Sequence, residues 1–282
     1  MQYKEITIHF SPIDPFRDLL IDTLGNEGPY NSFMEIPDGL KAYIPSDQFE
    51  EDFLQQTVSA YPEAQIRYEV EDMPDKNWNE EWEKQHKPVL VEGNKRIWVR
   101  APFHEHREDV DYEIEIEPKM SFGTAHHPTT AMMLSFVAEE DVTDKMVLDM
   151  GCGTAVLGIL AKMRGARYVQ GIDIDEWAYN NAMENAQRNH TTLDIRIGDA
   201  SLLTHQQSTF DLVIANINRN ILLRDMGSYR GAMRPGATLL LSGFYENDIP
   251  VLQTCAESLG MILQERRIRD SWASLKFLLQ ER

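Results

Sequence analysis

The chain has 282 residues, 42% of them hydrophobic and 26% charged, with a formal net charge of −19 and only two cysteines. That length admits two domains, or one with an appendage, while Cys152 and Cys255 exclude a disulfide framework and offer no metal-ligand spacing, so both are expected as reduced thiols. So acidic a surface repels phosphate backbones and disfavours direct nucleic-acid binding; it suits a basic protein as partner, or serves solubility alone.

The amino terminus, MQYKEITIHF, lacks the basic-then-apolar pattern of a signal peptide, and no apolar run approaches the roughly 20 residues of a membrane span. A cytoplasmic protein without membrane contact is expected. Tyr3 to Phe10 alternates as a strand does, and Asp14 to Leu24 places Phe16, Leu19, Leu20 and Leu24 on one side of a helix. Ser32 to Ile36 and Lys41 to Ile44 read as short strands joined at Pro37-Asp38-Gly39, a hairpin signal. Gln48 to Ala60 reads as a second helix and Gln65 to Val70 as a last strand. The order βαββαβ predicts a ferredoxin-like α+β domain over residues 1–72, a small antiparallel sheet backed by two helices. Residues 1–75 carry 16 acidic against 4 basic side chains, a surplus of 12 within the net 19. With no catalytic constellation of its own, this region reads as a recognition module for a basic partner or as a solvated appendage.

Asp75 to Lys87, DKNWNEEWEKQHK, lies between Pro74 and Pro88 and predicts a connecting helix within a linker over residues 73–90, with Trp78 and Trp82 on one face. Pro88 to Pro102 predicts two strands around Glu92-Gly93-Asn94. The rest of the second domain, residues 91–282, alternates strand and helix. Its strands are expected at Met146–Asp149, Tyr168–Asp173, Asp194–Ile197, Phe210–Ala215, Ala237–Ser242, Met261–Ile268 and Ala273–Leu279, the last two joined as a hairpin. That is a mixed, doubly wound seven-strand sheet with its ligand crevice at the strand carboxyl ends.

The stretch MVLDMGCGTAVLGILAKMRGARYVQGIDID, Met146 to Asp175, holds most of the chemistry. A strand ends at Asp149, a turn with Gly151 and Gly153 follows, then an apolar helix and a second strand closing on Asp173. Glycines let the backbone approach a nucleoside, and a carboxylate at the second strand's end can accept hydrogen bonds from both ribose hydroxyls. A dinucleotide site would carry a third glycine where Val156 stands. With the terminal hairpin and the Asn216 segment, the pattern matches seven-strand S-adenosylmethionine-dependent methyltransferases.

Two further segments narrow the match. Ser121 to Thr130 reads SFGTAHHPTT, and Phe210 to Asn218 reads FDLVIANIN where the fourth core strand opens onto the crevice. With WNEEWEKQHKPV upstream, the chain resembles over its whole length the PrmA family, the ribosomal protein L11 methyltransferases. It departs from the family pattern at Ala125, at Thr154-Ala155 and at Asn218, where a glycine, Ser-Gly and a leucine are usual. An alanine costs energy wherever the glycine it replaces uses φ > 0.

The resemblance implies S-adenosyl-L-methionine as cofactor, held at Thr130, Gly151, Asp173 and Asn216. It implies as substrate a basic ribosomal protein of the large subunit, methylated on lysine ε-amines and the N-terminal α-amine. Local chemistry adds Gly153 in the same loop and Asp199, after the third core strand, as a partner for the adenine amino group. Asp149 can orient the glycine loop. Asn216 can orient the incoming amine, the one catalytic assignment made; His126 and His127 receive none, and no metal site is expected. Three rivals stay open: a methyltransferase acting on another protein or a small-molecule amine, a nicotinamide-dependent oxidoreductase, and a non-catalytic donor-binding scaffold.

Overall fold

The computed structural model describes residues 3–13, 15–26, 28–30, 32–72, 87–117 and 123–280. By its contacts the chain divides into two compact units, Met1–Trp82 and Glu83–Arg282. That division falls inside the 73–90 span read as a linker; the helix expected there, with Trp78 and Trp82, lies outside the described residues.

The first unit runs β1 (Tyr3–His9), α1 (Phe16–Asn26), β2 (Ser32–Ile36), β3 (Gly39–Pro45), α2 (Glu51–Ser59) and β4 (Arg67–Asp72). Its sheet has the order β2-β3-β1-β4 with every neighbour antiparallel, which is the expected ferredoxin-like arrangement. Register explains the core. Ile6 faces Ala42 and Ile8 faces Leu40, and these join Leu20 and Leu24 of α1 and Leu54 of α2 in one buried cluster.

The second unit opens with a small sheet. β5 (Val89–Val91) and β6 (Ile97–Arg100) form the expected antiparallel pair, and β7 (Tyr112–Glu115) adds in parallel to β6. No strand was expected at 112–115, although DYEIEIE alternates with period two there. Ile114 of this strand and Ile116 just after it enter the same core as α3 (Pro128–Glu139).

The remaining elements are β8 (Met146–Met150), α4 (Val156–Met163), β9 (Tyr168–Asp173), α5 (Glu176–Arg188), β10 (Asp194–Ile197), β11 (Phe210–Asn216), α6 (Arg219–Ala232), β12 (Met233–Tyr245), α7 (Ile249–Ser258), β13 (Met261–Arg269) and β14 (Trp272–Leu279). They build a seven-stranded sheet of order β10-β9-β8-β11-β12-β14-β13, parallel through β12 and antiparallel in the final hairpin. Helices cover both faces, so the central strands are apolar on both sides. Along β11, Leu212 and Ile214 enter one core and Val213 and Ala215 the other. The chain leaves β8 toward β9 on one side and returns at β11 on the other. That reversal opens a crevice at the carboxyl ends of β8 and β11, where ligands bind in such sheets.

β12 is longer than expected. It begins at Met233, four residues before Ala237, because Met233 pairs with Phe210 before a register shift, and it continues past a second shift between Ser242 and Phe244.

Two of the departures from the family pattern now have a conformational meaning. Ala125 has φ +66° and Ala155 φ +61°, both left-handed, and both are buried. A left-handed alanine costs about 1–2 kcal/mol. Replacing it by glycine forfeits about 0.8 kcal/mol of methyl burial and about 0.4–1 kcal/mol through the looser unfolded chain. We expect Ala155→Gly to change unfolding free energy by less than about 1 kcal/mol in denaturant titration, and Ala155→Val, branched and left-handed at a buried site, to lose more than about 2 kcal/mol. A large gain from the glycine would show that the methyl group adds nothing to packing.

Candidate functional site

A cleft of about 610 Å³ lies at the carboxyl edge of the sheet, within the range that encloses nucleoside-sized ligands. Gly151 and Gly153 line it from the loop after β8, Asp173 from the end of β9, Asp199 from the loop after β10, and Asn216 to Asn218 from the end of β11. Five of the six residues singled out from sequence therefore meet in one cavity. The sixth, Thr130, is buried behind it: its hydroxyl accepts a 3.3 Å hydrogen bond from Asn216 Nδ2. Its neighbour Thr129 lines the cleft instead.

The loop after β8 is shaped by backbone demands. Gly151 has φ +64°, and a Cβ there would stand 2.3 Å from Ile217 Cγ2. Gly151 N and Cys152 N donate to Ile172 O at 2.8 and 3.2 Å, and Gly153 N donates to Asp173 Oδ2 at 2.9 Å. The other oxygen of Asp173 accepts from Asp175 N at 3.1 Å. Each carboxylate oxygen keeps a further lone pair for an outside donor. Asp173 is not the cap of α5; that position belongs to Asp175, which accepts from Trp177 N. Thr154 holds the loop from outside, donating its hydroxyl to Gly123 O at 2.8 Å while its carbonyl accepts from Asn185 Nδ2 at 3.1 Å.

Asp149 lies beneath this loop, 2% exposed, and accepts a 3.0 Å hydrogen bond from Gly158 N in the first turn of α4. Burial pushes its carboxyl up to about 8, only partly opposed by the Gly158 N–H, and the nearby charge of Asp173 adds to the rise. Asp199 differs. It is exposed, and bonding to Ser201, whose backbone N–H it accepts at 2.9 Å, holds its carboxyl below the usual range.

On the β11 side, Asn216 Oδ1 is buried and finds no hydrogen-bond partner among the described residues. Asn218 caps α6, its Oδ1 accepting from Ile221 N at 3.1 Å. Gly243 sits at the bulge of β12 with φ +96°, where a Cβ would lie 2.3 Å from Ile217 O. This close approach clamps the Asn216–Asn218 turn, and a lone glycine inside an apolar strand was the available signal for it. His127 and Trp272 also line this end of the cleft. Among the described residues no group of three His, Cys, Asp or Glu is placed to hold a metal ion.

Comparison with known proteins agrees with this geometry. A family model described as ribosomal protein L11 methyltransferase (PrmA) matches residues 25–280. The chain belongs to the ribosomal protein L11 methyltransferase family. It is 42% identical over 283 residues to the protein of that name from Phocaeicola vulgatus, covering 99% of this chain and 100% of the relative. It is 47% identical over 264 residues to that of Porphyromonas gingivalis, covering 92% and 90% respectively. A crystal structure of a ribosomal protein L11 methylase from Lactobacillus delbrueckii subsp. bulgaricus superposes with a TM-score of 0.62 at 23% identity, over 70% of this chain and all of that one, a likeness of fold. The enzyme is thus a methyltransferase, and S-adenosylmethionine is its methyl donor.

The buried carboxyl of Asp149 gives this family member a pH signature. A carboxyl whose pKa is raised on folding stabilises most below its unfolded value near 3.8, and the contribution is lost as pH rises toward about 8. Thermal unfolding without ligand should show Asp149→Asn gaining stability relative to wild type as pH rises from 5 to 8.5, with little difference near pH 4. Parallel pH profiles for the two proteins would contradict a protonated Asp149.

Proposed function

We propose that this enzyme transfers methyl groups from S-adenosylmethionine to amine nitrogens of ribosomal protein L11, the substrate named in its relatives. The observation that carries the reading is Asn216 Oδ1, a buried acceptor without a partner where the cleft passes from β8 to β11. An unpaired buried oxygen costs about 1–3 kcal/mol, and an N–H from an incoming amine or from the donor's amino group satisfies it. The residues present fit the donor. Gly151 admits close approach of the backbone, Asp173 has lone pairs for two ribose hydroxyls, Asp199 has one for the adenine amino group, and Thr130 fixes the carboxamide of Asn216.

When bound, the donor supplies a sulfonium-activated methyl group, so little chemistry is asked of side chains. The enzyme's work is to place amine, methyl carbon and sulfur in line and to exclude water. The amine must arrive unprotonated. At pH 7 about a tenth of an α-amine is neutral, against well under about a thousandth of a lysine. Asn216 Oδ1 orients the nitrogen, and the proton leaves to water before transfer.

Asn218 stands where a leucine is usual in the family. Its side chain caps α6. The acidic first domain, residues 1–72, then serves as the recognition module for the basic substrate, and the cytoplasm, where ribosomal proteins are made, is the place of action.

Incubation with labelled donor and purified L11, followed by mass spectrometry, tests the reading: methylated lysine or N-terminal amines are expected, and an unmodified L11 contradicts it. Asn216→Ala should lower the transfer rate about 100-fold by loss of alignment. Removal of residues 1–72 should leave donor affinity intact in calorimetry and abolish selection of L11 over other basic proteins. Undiminished selection by the shortened chain would place recognition elsewhere.

A further inference from the structure

Strand order divides the cleft into two chemically unlike ends. Asp173 and Asp199 line it from β9 and β10, on one side of β8. The paired Arg224 and Asp225 of α6 line it on the Asp199 side, where the Arg224 charge acts on Asp199. On the other side, His127, Ile217, Gly243 and Trp272 line it beside Asn216 and bring no carboxylate. If the nucleoside occupies the acidic end, the substrate amine enters from the aromatic one.

Trp272 reaches that end by register. Asn216, Ser242 and Ser274 stand abreast on β11, β12 and β14, so about 10 Å separates the first from the last. Trp272 lies two residues from Ser274, opposite Tyr245, at the carboxyl edge of the sheet. Its indole is braced on both neighbours: the Tyr245 ring lies 4.2 Å away, tilted by 31°, and the His127 ring meets it edge-on at 4.5 Å. Burial holds the His127 imidazole below its usual pKa, so this neighbour is uncharged at pH 7 and does not repel a cation.

A positive charge needs a counterpart at this end, and methyl transfer creates one. Each round forms an N–C bond and breaks the S–C bond, whose electron pair stays on sulfur, leaving the nitrogen cationic. Loss of a proton to water readies it for another round. As methyl groups replace N–H bonds the nitrogen loses hydrogen-bond donors for Asn216 Oδ1 but becomes a better partner for an aromatic face.

We infer that Trp272, braced by Tyr245 and His127, is a cation–π platform that holds methylated ammonium groups of the substrate at the acceptor end of the cleft. The inference rests on the methyltransferase reading of the site, and its test uses a probe that needs no L11. Choline and its uncharged isostere 3,3-dimethyl-1-butanol are titrated into the full chain saturated with S-adenosylhomocysteine, in wild type, Trp272→Phe and Trp272→Leu. Wild type should bind choline about fivefold or more tightly than the isostere. The ratio should persist in part in the phenylalanine variant and fall to about one in the leucine variant, whose affinity for S-adenosylhomocysteine should match wild type. Equal binding of the two probes by wild type, binding of neither, or an unchanged ratio in Trp272→Leu would overturn the platform. With L11 as substrate, Trp272→Leu should also accumulate singly methylated amines that wild type carries further. If wild type discriminates the probes yet leaves L11 unmodified, the substrate assignment fails and the platform stands.

Discussion

Three backbone N–H groups tie the carboxyl ends of β8 and β9 together, Gly151 and Cys152 donating to Ile172 O and Gly153 to the carboxylate of Asp173. To present those donors the loop must turn through left-handed conformations at Gly151, Gly153 and Ala155. Much of the site follows from this constraint. The turn aims Asp173 into the cleft with lone pairs to spare, starts α4 over the buried Asp149, and brings Gly151 against Ile217 in the turn after β11. A side chain at Gly151 would push the two halves of the cleft apart.

The second half is held by a matching approach. Gly243 lets β12 bulge against the carbonyl of Ile217, so the Asn216–Asn218 turn is fixed between Gly151 of the loop after β8 and Gly243 of β12. Thr130 behind Asn216 and Asn218 ahead of α6 complete its anchoring. Asn216 Oδ1, which has no hydrogen-bond partner among the described residues, is thereby rigidly placed at the junction of the acidic and aromatic ends. Such fixed placement, rather than acid or base strength, is what an in-line transfer from an already activated methyl group requires.

Features carried by short-range chemistry were legible in sequence. The βαβ unit, its glycines and Asp173 follow from residue types at set offsets along one stretch of chain, and the final hairpin from two apolar runs with a short connection. The features that escaped depend on distant partners. Gly243 matters because of Ile217, and Trp272 because of Tyr245 and His127, none of which periodicity can pair. β7, four residues long like the expected β10, escaped because it is fixed by parallel pairing with β6 across the 101–111 connection, a partner that periodicity does not name. Thr130 was expected to face the ligand. One residue along a helix turns the direction by about 100°, and that step separates Thr129 in the cleft from Thr130 behind Asn216.

We propose that the loop after β8 and Asp173 form one unit for recognising a ribose. A double-mutant cycle measured by calorimetry tests it directly, pairing wild type and Asp173→Asn with S-adenosylhomocysteine and its 2′,3′-dideoxy analogue. The asparagine oxygen can still accept from Gly153 N, which keeps the loop after β8, while its Nδ2 gives up the bond from Asp175 N. Losing the hydroxyls should weaken binding about tenfold or more in wild type and far less in Asp173→Asn, the signature of charge-assisted hydrogen bonds. Equal losses in the two proteins would mean that Asp173 does not touch the ribose.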